Sequence, residues 1–377
     1  MKKAKTKYYT TKRIDETYAR YRMIYGERSS GKTYSVLEGG LREYFESGEK
    51  HQTAIIRRYA EDFIGSTSAK TAYENLMCNG EGKNVVHELS KGKYVGIEYF
   101  SGAYYFTAQD EEGNIKRTKN IIAYGFALTK AEHYKMAAFP RITRILFDEF
   151  ITRKPYLVNE FIDFTSVLST IIRKRDNVII YMCANTVNKY GCPYFREMGL
   201  YRAKEQLQDT VDVYDYGKSG LRVALEWTEN SSTKTPNPSD VYFAFDNPRL
   251  QMITTGAWEI ASYPHCPVKY LPKEICFTYF IRYDEQLLQC EIIQHDDDIF
   301  TFIHRKTTPL QNPENDLIFD TEYNSQINYR RRITNTYDTV GKRIIWFYEH
   351  EKVFYQDNDV GEVVRSYLGW CRSTKND

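Results

Sequence analysis

Charge of one sign is what this sequence lacks most: 52 basic residues stand against 50 acidic ones, for a formal net charge of +2. A polyanion would meet no overall attractive field, so any grip on nucleic acid must come from local clusters. Long apolar runs are missing too. None approaches the ~20 residues of a membrane span, and the lysine-rich start has no apolar core of a secretory signal, so neither a transmembrane helix nor export is expected. The seven cysteines (Cys78, Cys183, Cys192, Cys266, Cys276, Cys290 and Cys371) contain no C-x-x-C pair. Their odd number predicts free thiols in a reducing cytoplasm. His265 beside Cys266 has no second ligand pair, which favours packing over zinc. No repeat of fixed period is present. What remains is globular: 377 residues, 42% hydrophobic, with 33 tyrosines and 20 phenylalanines, enough for two domains.

Against that background one run stands out. Gly26-Glu27-Arg28-Ser29-Ser30-Gly31-Lys32-Thr33 fits G-x-x-x-x-G-K-[ST], the phosphate-binding loop of nucleoside triphosphatases (Walker A). Two glycines let the backbone curl until successive N–H groups converge on phosphates. Lys32 adds a point charge, and the Thr33 hydroxyl is placed for Mg2+. The flanks agree. Arg20–Tyr25 reads as a strand leading in, and Thr33 to Ser47 as a helix burying Val36, Leu37, Gly40, Leu41, Tyr44 and Phe45. The competing reading is a glycine-rich turn beside a structural lysine.

Further along, Thr53–Arg58 reads as a strand, and Val85 to Phe126 as an antiparallel meander at the edge of the core. Arg141–Phe150 reads as a buried strand ending in two acids, Asp148 and Glu149. Pro155 opens a helix with Val158, Phe161, Ile162, Val167, Leu168, Ile171 and Ile172 at helical spacing, and Asn177–Asn185 is another strand. Strands alternating with helices predict a mainly parallel α/β sheet with its chemistry at the strands' C-terminal edge. The polar, proline-containing stretch Glu229–Ser239 suits a loop or linker. Beyond it, Phe277–Tyr283 and Leu287–Ile293 read as a hairpin around Asp284-Glu285, with Ile299–His304 and Arg343–Tyr348 as further strands.

The acids suggest hydrolysis. Asp148 is placed to hold Mg2+ opposite Thr33, and Glu149 to orient and deprotonate an attacking water; alternatively the pair merely solvates the strand's exit. Asn185, at the next strand's tip, either senses a γ-phosphate or caps a turn. Arg173 and Arg175, in the cluster Arg173-Lys174-Arg175, are candidates for an arginine finger. Acting on a neighbouring subunit, they require a ring or at least a dimer; otherwise they contact DNA phosphates or water. Two further basic clusters are Lys2, Lys3, Lys5, Lys7, Lys12 and Arg13 at the start, and Arg330-Arg331-Arg332.

These motifs resemble a family. The loop with arginine third (Arg28), the run Tyr124–Thr129 followed by Tyr134-Lys135, the strand Ile145–Phe150, and Arg175-Asp176-Asn177 before Asn185 are similar to phage terminase large subunits and to the smaller DNA-packaging ATPases of phi29-like phages. The likeness covers roughly residues 20–200. It implies a P-loop NTPase of the additional-strand, catalytic-glutamate type over residues 1–205, a lid or linker over 206–240, and a C-terminal α+β domain over 241–377. It implies an ATP- and Mg2+-dependent ring motor, pentameric in this family, that sits on a prohead portal in the infected cell's cytoplasm. The motor drives double-stranded DNA inward, in some members with a packaging RNA. The nucleotide would be held by Gly26, Arg28, Ser29, Ser30, Gly31, Lys32 and Thr33.

Two departures matter. Glu27 and Ser29 stand where relatives often have glycine, and Glu27 is expected to point away from phosphates. The C-terminal acids Asp246, Asp284, Asp296-Asp297-Asp298 and Asp320 form no metal triad, and Arg282 takes a place where a nuclease needs an acid. A degenerate RNase H-like fold without cleavage is expected, with Arg330–Arg332 as an RNA or phosphate contact. DNA would meet pore-facing loops, with Arg57, Arg58, Lys116, Arg117 and Lys119 as candidates. The alternatives are a helicase, a small-molecule kinase, or a nucleotide-switched RNA- or portal-binding module.

Overall fold

The computed structural model describes residues 8–27, 30–65, 69–78, 82–152, 156–185, 192–200, 203, 205–228, 263–335 and 337–373. The chain divides into two compact units. One comprises Met1–Ile151, Glu160–Val187 and Tyr194–Trp258, the other Thr152–Asn159, Asn188–Pro193 and Glu259–Asp377.

The first unit is built on nine strands: β1 (Tyr21–Gly26), β2 (Gln52–Arg57), β3 (Gly96–Phe100), β4 (Ala103–Gln109), β5 (Ile115–Ala127), β6 (Ile142–Asp148), β7 (Ile179–Asn185), β8 (Thr210–Tyr216) and β9 (Leu221–Trp227). Their order is β3-β4-β5-β2-β6-β7-β1-β9-β8. The six from β5 to β9 run parallel, and β3, β4 and β8 add antiparallel edges. The interior strands are almost wholly buried, as a sheet covered on both faces requires. The helix Lys32–Glu46 lays Val36, Leu37, Leu41 and Tyr44 against one face, where Ile24, Ile55, Leu146 and Tyr181 meet it. On the helix Glu160–Ile172, Phe164 stacks on Phe147 with ring centroids 5.1 Å apart. Its buried residues include Phe164, Val167, Leu168 and Ile171, whereas Ile162 is exposed. Pro155, expected to open this helix, lies outside the described residues.

Two expectations need correction here. Val85–Leu89 is a short helix rather than the first strand of the meander, because the Asn84 side chain accepts the His87 N–H at 2.9 Å and caps it. The stretch 206–240, expected as a lid or linker, supplies β8 and β9. In β9 the apolar run Val223-Ala224-Leu225 is buried, and the strand pairs with β1 from Tyr21↔Val223 to Tyr25↔Trp227.

The second unit has six strands: β10 (Ile275–Tyr283), β11 (Gln286–His295), β12 (Asp298–Arg305), β13 (Ile318–Asp320), β14 (Tyr329–Arg330) and β15 (Val353–Tyr355), in the order β14-β13-β10-β11-β12-β15. β10, β11 and β12 form an antiparallel meander, while β13 runs parallel to β10 and β14 parallel to β13. The first hairpin turns at Asp284 and Glu285, with φ of 51° and 61°, the doubly left-handed turn that matches strand twist. Arg343–Tyr348 is helical and not a strand. It lies within Thr339–Glu349, where Gly341, Ile344 and Phe347 are buried three residues apart and the Asp338 side chain accepts the Val340 N–H. This helix and Asn358–Ser373 close the core through Ile344, Phe347, Val360, Val364 and Tyr367.

Candidate functional site

The site lies at the C-terminal edge of β1, β6 and β7, where parallel sheets hold their ligands. β1 ends at Gly26, whose register partner on β7 is Asn185. A side chain at Gly26 would run into Thr228, so only glycine lets the chain leave the strand there. Gly31 has φ 95°, a left-handed turn that starts the helix at Lys32. Lys32 is 5% exposed. Its ammonium donates to the Ser30 hydroxyl at 3.1 Å and to the Glu27 carbonyl. Burial pushes that ammonium down to about 8. The Ser30 carbonyl accepts the Tyr9 N–H at 2.9 Å, which ties the N-terminal segment to the loop. Arg28 and Ser29 lie outside the described residues.

The Thr33 hydroxyl donates to Asp148 Oδ1 at 2.9 Å, joining the loop to the acid strand. Burial pushes the Asp148 carboxyl up, the Arg57 guanidinium opposes that rise, and Glu149 adds to it. Glu149 adopts φ 63°, unusual for a residue with a side chain. Its N–H donates to the Cys183 carbonyl at 2.7 Å, and its own carbonyl accepts from Arg58 at 3.0 Å. Burial raises the Cys183 thiol out of its reactive range. Lys32, Thr33, Asp148, Glu149 and Asn185 line a cavity of about 410 Å³ floored by Ile55, Leu146 and Cys183, a volume in the range of small-molecule sites. Thr33 and Asp148 offer hard oxygen donors side by side, the kind Mg2+ takes.

Sequence reasoning missed Arg57 as a member of this site. Its guanidinium donates to Asp148 at 2.9 Å, to Glu149 at 2.8 Å and to Asp62 at 3.3 Å. Arg58 is spent on a two-pronged bond to Glu160, 2.7 Å in each arm, and on the Glu149 and Phe150 carbonyls. Both arginines are buried, at 6% and 4% exposure, which removes them from the DNA-contact candidates. Lys116, Arg117 and Lys119 stay exposed, with Arg117 over the Phe100 ring at 3.7 Å.

Arg173 and Arg175 are not brought to the site of their own chain. They precede β7 and so sit at the sheet's opposite edge. Arg175 donates to the carbonyls of Phe139, Pro140, Ile142, Ile171 and Ile172, and Arg173 to those of Ala137 and Thr170. Among the described residues no cluster of histidine, cysteine and acids could hold a metal by itself, and no helix is long and apolar enough to cross a membrane.

No protein-family profile matches the chain. The Phi-28 gp11 DNA packaging motor superposes with a TM-score of 0.56 at 18% identity, over 97% of this chain and 98% of that one. The fold is that of a phage DNA-packaging motor chain. A chain of the bacteriophage Phi-29 viral genome packaging motor assembly gives the same TM-score at 15% identity, over 96% and 99% of the two chains. A DNA packaging protein of Bacillus phage B103 is 25% identical over 183 residues, 47% of each chain. The chain thus spans about half the length of the curated relative it matches.

Proposed function

We propose that this chain is an ATP-hydrolysing motor that moves double-stranded DNA into a phage prohead. The carrying observation is the 2.9 Å bond from Thr33 to Asp148, which sets a phosphate-binding loop against an acid pair inside one cavity. The strand β7 lies between β1 and β6, which supports the additional-strand, catalytic-glutamate class of P-loop enzymes. Gly26, Arg28, Ser29, Ser30, Gly31 and Lys32 would hold the phosphates, and Thr33 with Asp148 the magnesium. Bound there, the metal would offset the negative charge of the phosphates. Glu149 takes the proton of the attacking water, and Asn185 contacts the terminal phosphate. In a ring of identical subunits, Arg173 or Arg175 would reach the neighbouring site.

The second unit supports a nuclease-like fold that has lost cleavage. Its sheet contains the run β12-β11-β10-β13-β14, with only the first three antiparallel, which supports an RNase H-like order to which β15 is added parallel to β12. Arg282 on β10 pairs with Asp320 on β13 at 3.1 Å, a cation where a nuclease needs a metal-binding acid. Arg331, exposed and 5.6 Å from the Trp370 ring, is the natural phosphate contact for portal-bound RNA.

ATP hydrolysis with and without double-stranded DNA tests the proposal. Lys32→Ala should abolish nucleotide binding, whereas Glu149→Gln should keep binding and lose turnover by about 10²-fold or more. Near-normal turnover in both variants refutes it. Strand separation or phosphate transfer to an acceptor would identify a helicase or a kinase instead.

A further inference from the structure

Two consecutive arginines at the end of β2 address the two halves of one problem. Successive side chains of a strand point to opposite faces, so Arg57 and Arg58 diverge. Arg58, anchored on Glu160, donates to the Glu149 and Phe150 carbonyls and thus holds the backbone behind the acids. Arg57 holds their side chains. One arm of its fork binds Asp148 Oδ2, leaving Oδ1 to Thr33, and the other arm binds Glu149 Oε2. Its Nε faces Asp62, in the turn Ala60–Phe63 that follows the strand. Asp148 offers one oxygen to each side, so its carboxylate plane is fixed. Glu149, about half exposed and on a left-handed backbone, has Arg57 as the cation that orients it.

We infer that Arg57 is a positioning residue of the hydrolytic site: it sets the spacing of the metal-holding and water-activating carboxylates, and Asp62 sets the angle of its fork. The inference rests on the hydrolytic reading above. Lysine cannot replace arginine here, because a point charge cannot serve two carboxylates in one plane. Misplacement of reacting groups by about 1 Å costs on the order of 10²-fold in rate.

The test uses the full chain with Arg57→Lys and the milder Asp62→Asn. Fluorescent ADP binding is measured with and without Mg2+, alongside steady-state hydrolysis. Arg57→Lys should bind metal-free ADP within about twofold of wild type, lose most of the tightening that Mg2+ gives, and fall about 10²-fold in kcat. Asp62→Asn should fall about tenfold in kcat, with KM and metal-free binding unchanged. A merely structural role would instead weaken metal-free binding and kcat together, and that result overturns the inference. So does wild-type kcat in both variants. If Glu149→Gln is dead while Arg57→Lys hydrolyses normally, this inference fails and the motor reading stands. A wild-type protein that does not hydrolyse ATP removes both.

Discussion

Lys32 carries a charge that its own fold disfavours. Burial lowers it to about 8, against ~10.4 for a free lysine. Its contribution to stability is therefore largest above the ordinary value and is lost as pH falls through about 8. Phosphate binding has the reverse preference, since it needs the ammonium charged. Affinity for metal-free ADP should fall about tenfold between pH 7 and pH 9, one unit past the lysine's own value. Lys32→Arg, which stays charged, should flatten that slope; a wild-type affinity independent of pH over this range would contradict the assignment. At this scale the sequence was informative where the chemistry is local. Gly26 to Thr33 and Asp148-Glu149 could be read because each group is contiguous. Arg57 could not, because its role depends on β2 lying beside β6, with Ile56 opposite Phe147, a pairing between residues far apart in the chain. A basic residue at a strand end reads equally well as a surface charge.

Among the elements, the segment after β6 depends most on one ion pair. Arg58 and Glu160 are 5% and 0% exposed at their side chains, and Tyr194 also donates to Glu160 at 2.7 Å. Removing one charge leaves the other buried without its counter-ion, so Arg58→Met should cost about 3–5 kcal/mol in urea unfolding. Arg58→Met combined with Glu160→Leu should recover much of that loss; no recovery would mean the arginine's carbonyl contacts matter more. Element type was legible wherever a strand was buried on both faces, as in β1, β2, β6 and β7. It failed at Arg343–Tyr348, where an apolar cluster rich in aromatic and branched residues has the local look of a strand. The Asp338 cap, five residues earlier, and burial at three-residue spacing in Thr339–Glu349 decide for the helix. It failed again at 206–240, where β9 pairs with β1, about two hundred residues upstream, as Tyr21↔Val223 illustrates, and β8 pairs with β9.

For the whole molecule, the two candidate finger residues can be separated. Arg175 binds five backbone carbonyls in its own chain, so Arg175→Ala should lower stability by about 1–3 kcal/mol. Arg173 is exposed and freer. Mixing Arg173→Ala with Glu149→Gln subunits should recover part of the hydrolysis if the arginine acts across an interface, and no recovery at any ratio argues against it. The parallel architecture of the first unit was legible, but its strand order was not, since its parallel pairings join strands far apart in the chain. That order has a consequence for synthesis. β1, with the lysine loop, and β6, with the acids, are not neighbours in the sheet; β7 lies between them. A nascent chain with β7 still inside the ribosome holds the sheet fragment β3-β4-β5-β2-β6 and a lone β1, and the cavity shared by Lys32, Asp148 and Asn185 forms only when Asn185 has emerged.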